Sequence, residues 1–182
     1  LYQAAWAFRR IKEYDPVQHV DISSDLRFIS QLSAVIPTTY IEYRPIKLNL
    51  PGLNIQAGDV LNLPFADQSI ASLSCLHVIE HIGLGRYGDP LDANGPEKAI
   101  TEMSRVISPG GHLFISVPVG IMRVMFNAHR IFDPQNIPNL VGEFDLVEFS
   151  IITSKGKYQE HVSPIDFIDE NYACGLYHFR KL

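Results

Sequence analysis

Apolar residues recur along this chain at two spacings, and their alternation predicts its architecture. Leu1 to Tyr14 sets Ala4, Ala5, Phe8 and Ile11 at helical spacing, with Arg9, Arg10 and Lys12 between them. Asp15-Pro16 ends that helix, because the residue before proline is pushed out of the helical region. Val17 to Ile22 reads as a short buried strand. Ser23, Ser24 and Asp25 are helix N-cap residue types, and the helix after them buries Leu26, Ile29, Leu32 and Ile36 before Pro37 stops it. Thr39 to Tyr43 is rich in β-formers and reads as a second strand.

Pro51-Gly52 marks a turn before a third strand, Leu53 to Ala57, and Ile70 to Leu76 is the fourth. Gly83 to Gly95 is a long loop with four glycines and one proline. Pro96 opens a helix, as proline favours the first helical position, and Ala99, Ile100, Met103, Val106 and Ile107 form its apolar stripe. Ser108-Pro109-Gly110-Gly111 breaks it, and His112 to Val117 is the next strand. Phe144 to Thr153 and Ala173 to Leu182 read as two longer strands without a good helix between them. This order predicts an α/β fold: a doubly wound, mostly parallel sheet with helices on both faces and an antiparallel C-terminal hairpin. One domain over 1–182 is expected, divided into an N-terminal helix (1–14), a core (15–120) and a C-terminal segment with the hairpin (121–182).

The length of 182 residues suits one domain. Apolar residues at 46% and charged residues at 19% read as globular rather than disordered. Net charge is −5 with no clustered Lys and Arg, which argues against a nucleic-acid partner. Cys75 and Cys174 both sit in apolar strand-like runs, which fits a reducing compartment, and the cytoplasm is expected. No apolar stretch is long enough to span a membrane. The chain opens on Leu1 rather than Met, so the lack of a visible signal peptide says little.

Ligands of open α/β sheets bind outside the carboxyl ends of the strands. Here the strand ends carry Asp21 followed by Ser23, Ser24 and Asp25; then Glu42; then Gly58-Asp59-Val60; then His77, with Glu80 and His81 close behind. Carboxylates at successive strand ends can accept hydrogen bonds from an ammonium, a ribose diol or an adenine amine, and would repel phosphate. Read singly, each is an ordinary cap or turn residue.

Val20-Asp21-Ile22, Glu42 and Gly58 to Phe65 (GDVLNLPF), with Leu76 to His81 (LHVIEH) and Arg105 to Leu113 (RVISPGGHL), resemble class I S-adenosylmethionine-dependent methyltransferases. The likeness covers roughly residues 17 to 120. More narrowly, Glu80 to Pro90 (EHIGLGRYGDP), Val117 to Gly120 and Asn127 to Arg130 (NAHR) look like an uncharacterised methyltransferase-like family. The resemblance implies a Rossmann-like fold with S-adenosylmethionine as cofactor. It would set Asp21, Ser23 and Ser24 along the methionine part, Glu42 at the ribose, Asp59 and Val60 at adenine, and His77 near the reactive end. The sequence departs from that pattern after the first strand, where glycines give way to Ser23, Ser24 and Asp25. Serine is strained by any positive φ. A catalytically silent domain that binds a ligand or partner is therefore a second reading.

Other constellations weigh less. His77-x-x-Glu80-His81 has the spacing of an inverted zinc-protease motif, but Gly83 and Gly85 end any helix there and no third ligand is evident; no metal is expected. In the glycine-rich loop and beyond it, Arg86, Tyr87, Asn127 and Arg130 are candidate substrate contacts. His81 or His129 is the candidate general base, since an acceptor oxygen must lose its proton as it attacks. An Arg86–Asp89 pair bracing the loop is the alternative. No phosphate loop or nucleophile elbow is present, and Cys75 reads as inert. The expected substrate is a small molecule or saccharide, methylated on oxygen.

Overall fold

The computed structural model describes residues 1–126 and 128–182. α1 (Tyr2–Tyr14) leads through β1 (His19–Ile22), α2 (Leu26–Ser33), β2 (Thr38–Glu42) and β3 (Leu53–Ala57) to β4 (Ile70–Leu76). A single 3-10 turn at Ile79–His81 and the long loop precede α3 (Gly95–Val106) and β5 (Ile107–Val119). A small hairpin, β6 (Arg123–Val124) and β7 (Arg130–Ile131), is followed by α4 (Asn136–Val141), β8 (Phe144–Ile152), β9 (Tyr158–Gln159) and β10 (Ala173–Lys181).

One sheet runs in the order β3-β2-β1-β4-β5-β10-β8-β9. Neighbours from β3 to β5 are parallel. β10 runs antiparallel to both β5 and β8. The expected C-terminal antiparallel pair is present, with β10 seated inside the sheet rather than at its rim.

Both faces are covered. On one, Trp6, Ile11, Ile29 and Leu32 of α1 and α2 pack on Tyr40, Leu76, Phe114 and Leu176. On the other, Ala99, Ile100, Met103, Ile137 and Val141 of α3 and α4 pack on Ile22, Ile41, Cys75 and Ile115. Two-sided burial explains why the strands read as nearly continuous apolar runs.

The details differ from the sequence expectation where side chains outside the core found better partners. Ala5 is exposed, and Trp6 is fully buried with its indole N–H donating to Glu148 Oε1 at 3.1 Å. The buried face of α1 is thus rotated toward the acidic partner on β8. Leu26 is exposed and Phe28 buried in its place, because Asp25 caps α2 through the Arg27 N–H at 2.9 Å and so fixes where the helix begins. β5 starts at Ile107, before the Pro-Gly-Gly break. Its register to β4 jumps from Ile70↔Ile107 to Ser72↔His112, so the break becomes a bulge within the strand.

Candidate active site

The strand order reverses between β1, which continues to β2 and β3, and β4, which continues to β5. At such a switch point the loops after the strands diverge and leave a crevice. A cavity of about 440 Å³ opens there. Ser23 from β1, Glu42 and Tyr43 from β2, Gly58, Asp59, Val60 and Leu61 from β3, and His77 and Val78 from β4 line it. The far wall comes from His81 and the glycine-rich loop, including Tyr87, Asp89 and Asp92. Gly58 is required by close packing, since a Cβ there would stand 2.5 Å from Ile41 Cγ2.

Four carboxylates line this cavity, and no Lys or Arg does among the described residues. Glu42 accepts from the Tyr40 hydroxyl at 3.0 Å, and Asp59 from the Leu61 N–H at 2.9 Å. Each carboxylate has further acceptor capacity. Val60, Leu61, Val78, Ile82 and Pro90 supply apolar wall. Such a lining suits a cationic, hydroxylated ligand with one flat apolar part.

The loop after β1 makes its turn without glycine. Ser23 takes the left-handed conformation with φ +51, and its N–H donates to the Ile41 carbonyl at 3.0 Å. Ser24 is buried and turned inward. Its N–H and hydroxyl donate to Asp21 at 3.0 and 2.7 Å, and its oxygen accepts the Leu76 N–H at 3.1 Å. The expectation that Asp21 and Ser24 line the cofactor is therefore corrected: Asp21 is fully buried, and neither residue reaches the cavity. Burial pushes the Asp21 carboxyl up to about 6, against the hydrogen bonds from Ser74 and Ser24. Ser74 donates to Asp21 and stands 2.8 Å from His19 Nε2, whose Nδ1 meets Ser72 at 2.8 Å. This buried chain braces the loop from beneath.

The His-x-x-Glu-His run is not a helix. His77 follows β4 at φ +58, and one 3-10 turn comes after it. His77 Nδ1 meets Glu80 Oε1 at 2.8 Å and Nε2 meets Cys174 Sγ at 3.2 Å. Burial opposes protonation of His77, and its bonds to Cys174 and Glu80 outweigh that, lifting it to about 10. His81 lines the cavity and uses Nδ1 on the Ala128 carbonyl at 2.9 Å. A carbonyl only accepts, so Nδ1 carries the proton; Nε2 makes no hydrogen bond among the described residues and stands 3.9 Å from Glu80 Oε1. Among the described residues no group of three or more His, Cys, Asp or Glu could hold a metal ion.

His129 stacks edge-on to His81 with ring centres 5.9 Å apart, but it does not line the cavity, and its buried Nε2 has no partner among the described residues. Burial lowers its pKa. Tyr87 does line the cavity. The two arginines are spent on backbone: Arg86 donates to Ala128 O at 2.9 Å, and Arg130 to Ile82 O at 2.6 Å and Asp92 O at 3.3 Å. Neither lines the cavity. Arg86 does not pair with Asp89 either; Asp89 instead accepts the Gly83 N–H at 2.7 Å and the Tyr87 N–H at 3.2 Å. Asn127 lies outside the described residues. Sequence reasoning missed Cys174, and no local pattern near it could have signalled its contact with His77.

Residues 13–115 match the family model for the methyltransferase domain. The chain belongs to the methyltransferase domain family. Residues 65–169 of this methyltransferase-family protein also match, and place it in, the family described as Caenorhabditis protein of unknown function. A sequence search of curated proteins found no match. Among solved structures, N-methyltransferase NodS from Bradyrhizobium japonicum, in complex with S-adenosyl-L-homocysteine, is 16% identical with a TM-score of 0.67, covering 99% of this chain and 86% of that one. YcgJ from Bacillus subtilis is 12% identical with a TM-score of 0.66, covering 99% and 98%. The [4+2]-cyclase SpnF is 13% identical with a TM-score of 0.65, covering 97% and 80%. At these identities the likeness concerns the fold, and the cyclase among them shows that this fold hosts more than one reaction.

Proposed function

We propose that this methyltransferase-family protein binds S-adenosylmethionine in the cavity at the β1–β4 tips and methylates an oxygen of a small molecule or saccharide. The convergence of Ser23, Glu42, Asp59 and His77 from four strand tips on one acidic cavity carries the reading. When bound, S-adenosylmethionine supplies a methyl group on a positively charged sulfur. Glu42 accepts hydrogen bonds from the ribose hydroxyls, and Asp59 with Val60 holds the adenine against the apolar wall. The carboxylates favour the positive charge in a partly desolvated site. Displacement at a methyl carbon needs alignment more than a nucleophile from the protein. His81 Nε2 takes the proton of the acceptor hydroxyl, with the ring oriented by the Ala128 carbonyl. Tyr87 borders the acceptor.

Calorimetric titration with S-adenosylmethionine and with S-adenosylhomocysteine tests the reading. Micromolar binding of either, weakened by Asp59→Ala and by Glu42→Gln without loss of folding, is the expected result. If neither binds at millimolar concentration, the catalytically silent reading replaces this one. Unchanged affinity in Asp59→Ala would overturn the adenine placement alone.

A further inference from the structure

Cys174 Sγ lies 3.2 Å from His77 Nε2, and His77 Nδ1 lies 2.8 Å from Glu80 Oε1. A sulfur, an imidazole within reach of its proton and a carboxylate orienting that ring form the arrangement by which thiols are activated. Cys174 meets His77 only because β10 is seated beside β5, which brings its first residues next to the tip of β4. Two features mark the contact as built. Glu80 is 1% exposed, and its second oxygen, Oε2, has no partner among the described residues. His77 holds its ring in place from a left-handed backbone, φ +58, tied by its N–H to the Ser116 carbonyl at 2.9 Å. Strain of that kind persists where the surroundings impose it, and it gathers at functional sites. Cys75 gives the contrast: fully buried in the core, its thiol pushed up by burial, it is sealed from reagents. Cys174 is partly exposed.

We propose that Cys174 is a nucleophilic thiol, activated by His77 and oriented through Glu80, that bonds covalently to soft carbon electrophiles arriving at the β4 and β10 tips. In the step, Sγ attacks the electrophilic carbon and an S–C bond forms. The bond from that carbon to its leaving group breaks, and the electron pair departs with the leaving group. The thiol proton ends on His77 Nε2, while Nδ1–H faces Glu80. Methyl transfer in the adjoining cavity neither needs this thiol nor supplies it. The other titratable groups facing the pair are His81 on the same turn, His129 before β7, and Tyr172 and Tyr177 on the β10 side.

Iodoacetamide with site-resolved mass spectrometry on the folded protein is the test. Cys174 is expected to alkylate about tenfold faster than free cysteine near pH 6, with Cys75 unmodified. His77→Asn is expected to bring the rate down to that of a free thiol, and asparagine tolerates the left-handed backbone there. Glu80→Gln is expected to slow it less. Where His77→Asn fails to fold, the unaltered protein decides: from about pH 8 to about pH 6 a free thiol slows about a hundredfold, and Cys174 is expected to slow far less. A Cys174 rate that follows free cysteine over that range, or one indifferent to His77→Asn in a folded variant, overturns the proposal.

Discussion

Asp21 holds Ser24 twice, through the backbone N–H at 3.0 Å and through the hydroxyl at 2.7 Å. Both atoms of Ser24 are thereby turned away from the cavity, and the Leu76 N–H closes the arrangement from β4. A loop for which the resemblance implied glycine is here shaped by a buried hydrogen-bond network. Ser24→Ala would leave the Leu76 N–H short of its partner and take one of two hydroxyl donors from Asp21 Oδ2, which keeps Ser74. The expected loss is about 1–3 kcal/mol, read from urea denaturation. A loss within error of zero would mean that water replaces the hydroxyl.

Ser23 bears the strain of that loop at φ +51. Ser23→Gly is expected to stabilise the protein by about 1 kcal/mol, less whatever its hydroxyl bond to the Ile41 carbonyl contributes. Ser23→Val is expected to destabilise it, since a β-branched residue fits this region worst. Equal stability of the two variants would contradict the strain.

The network also sets a response to acid. Burial holds His19 down to about 3 from its ordinary 6.5, so below about pH 6.5 the unfolded chain binds a proton that the folded chain refuses. The stability this represents is present above about 6.5 and is lost as pH falls toward about 3. Asp21 acts in the opposite sense. Its raised value of about 6 favours the folded state at low pH, and that gain is lost as pH rises from about 3.8 through about 6. Between about pH 6 and pH 4 the two nearly cancel; the displacement of His19 is the larger and reaches lower, so net destabilisation is expected between about pH 4 and pH 3. In denaturation midpoints compared across that range, His19→Gln is expected to flatten the fall. A variant as acid-sensitive as the parent would place the cause elsewhere.

Arg130 ties two carbonyls of the long loop, Ile82 and Asp92. Gly83 belongs to the same tie: at φ +77, a Cβ there would stand 2.0 Å from the Asp92 carbonyl oxygen. Arg130→Ala is expected to loosen residues 83–92, seen as faster amide hydrogen exchange at a cost of about 1–3 kcal/mol. Unchanged exchange with a raised KM for the acceptor would instead restore Arg130 to the substrate.

His81→Gln is expected to lower kcat by about a hundredfold or more, as for loss of a general base, with S-adenosylmethionine affinity kept. A variant with unaltered turnover would remove His81 from the chemistry. The same substitution at His129 is expected to change stability more than turnover.

Much of the fold was legible along the chain. Periodicity marked all five parallel strands and the helices on both faces, because two-sided burial leaves a signal at every strand position. The acidic strand tips Glu42 and Asp59 were legible for the same reason: a residue at the end of a strand has its place set by the strand. Local pattern could not say which way a side chain turns once the chain leaves the strand. Asp21 faces inward because Ser74 lies opposite it in the β1–β4 register. The guanidinium groups of Arg86 and Arg130 met backbone carbonyls far along the chain. The contact of Cys174 with His77 spans 97 residues and depends on β10 inserting beside β5. The sequence by itself determined the elements and their capacity for hydrogen bonding. Which polar groups remained free for a ligand was decided by tertiary packing, since buried donors and acceptors take their partners from whatever the fold brings within reach.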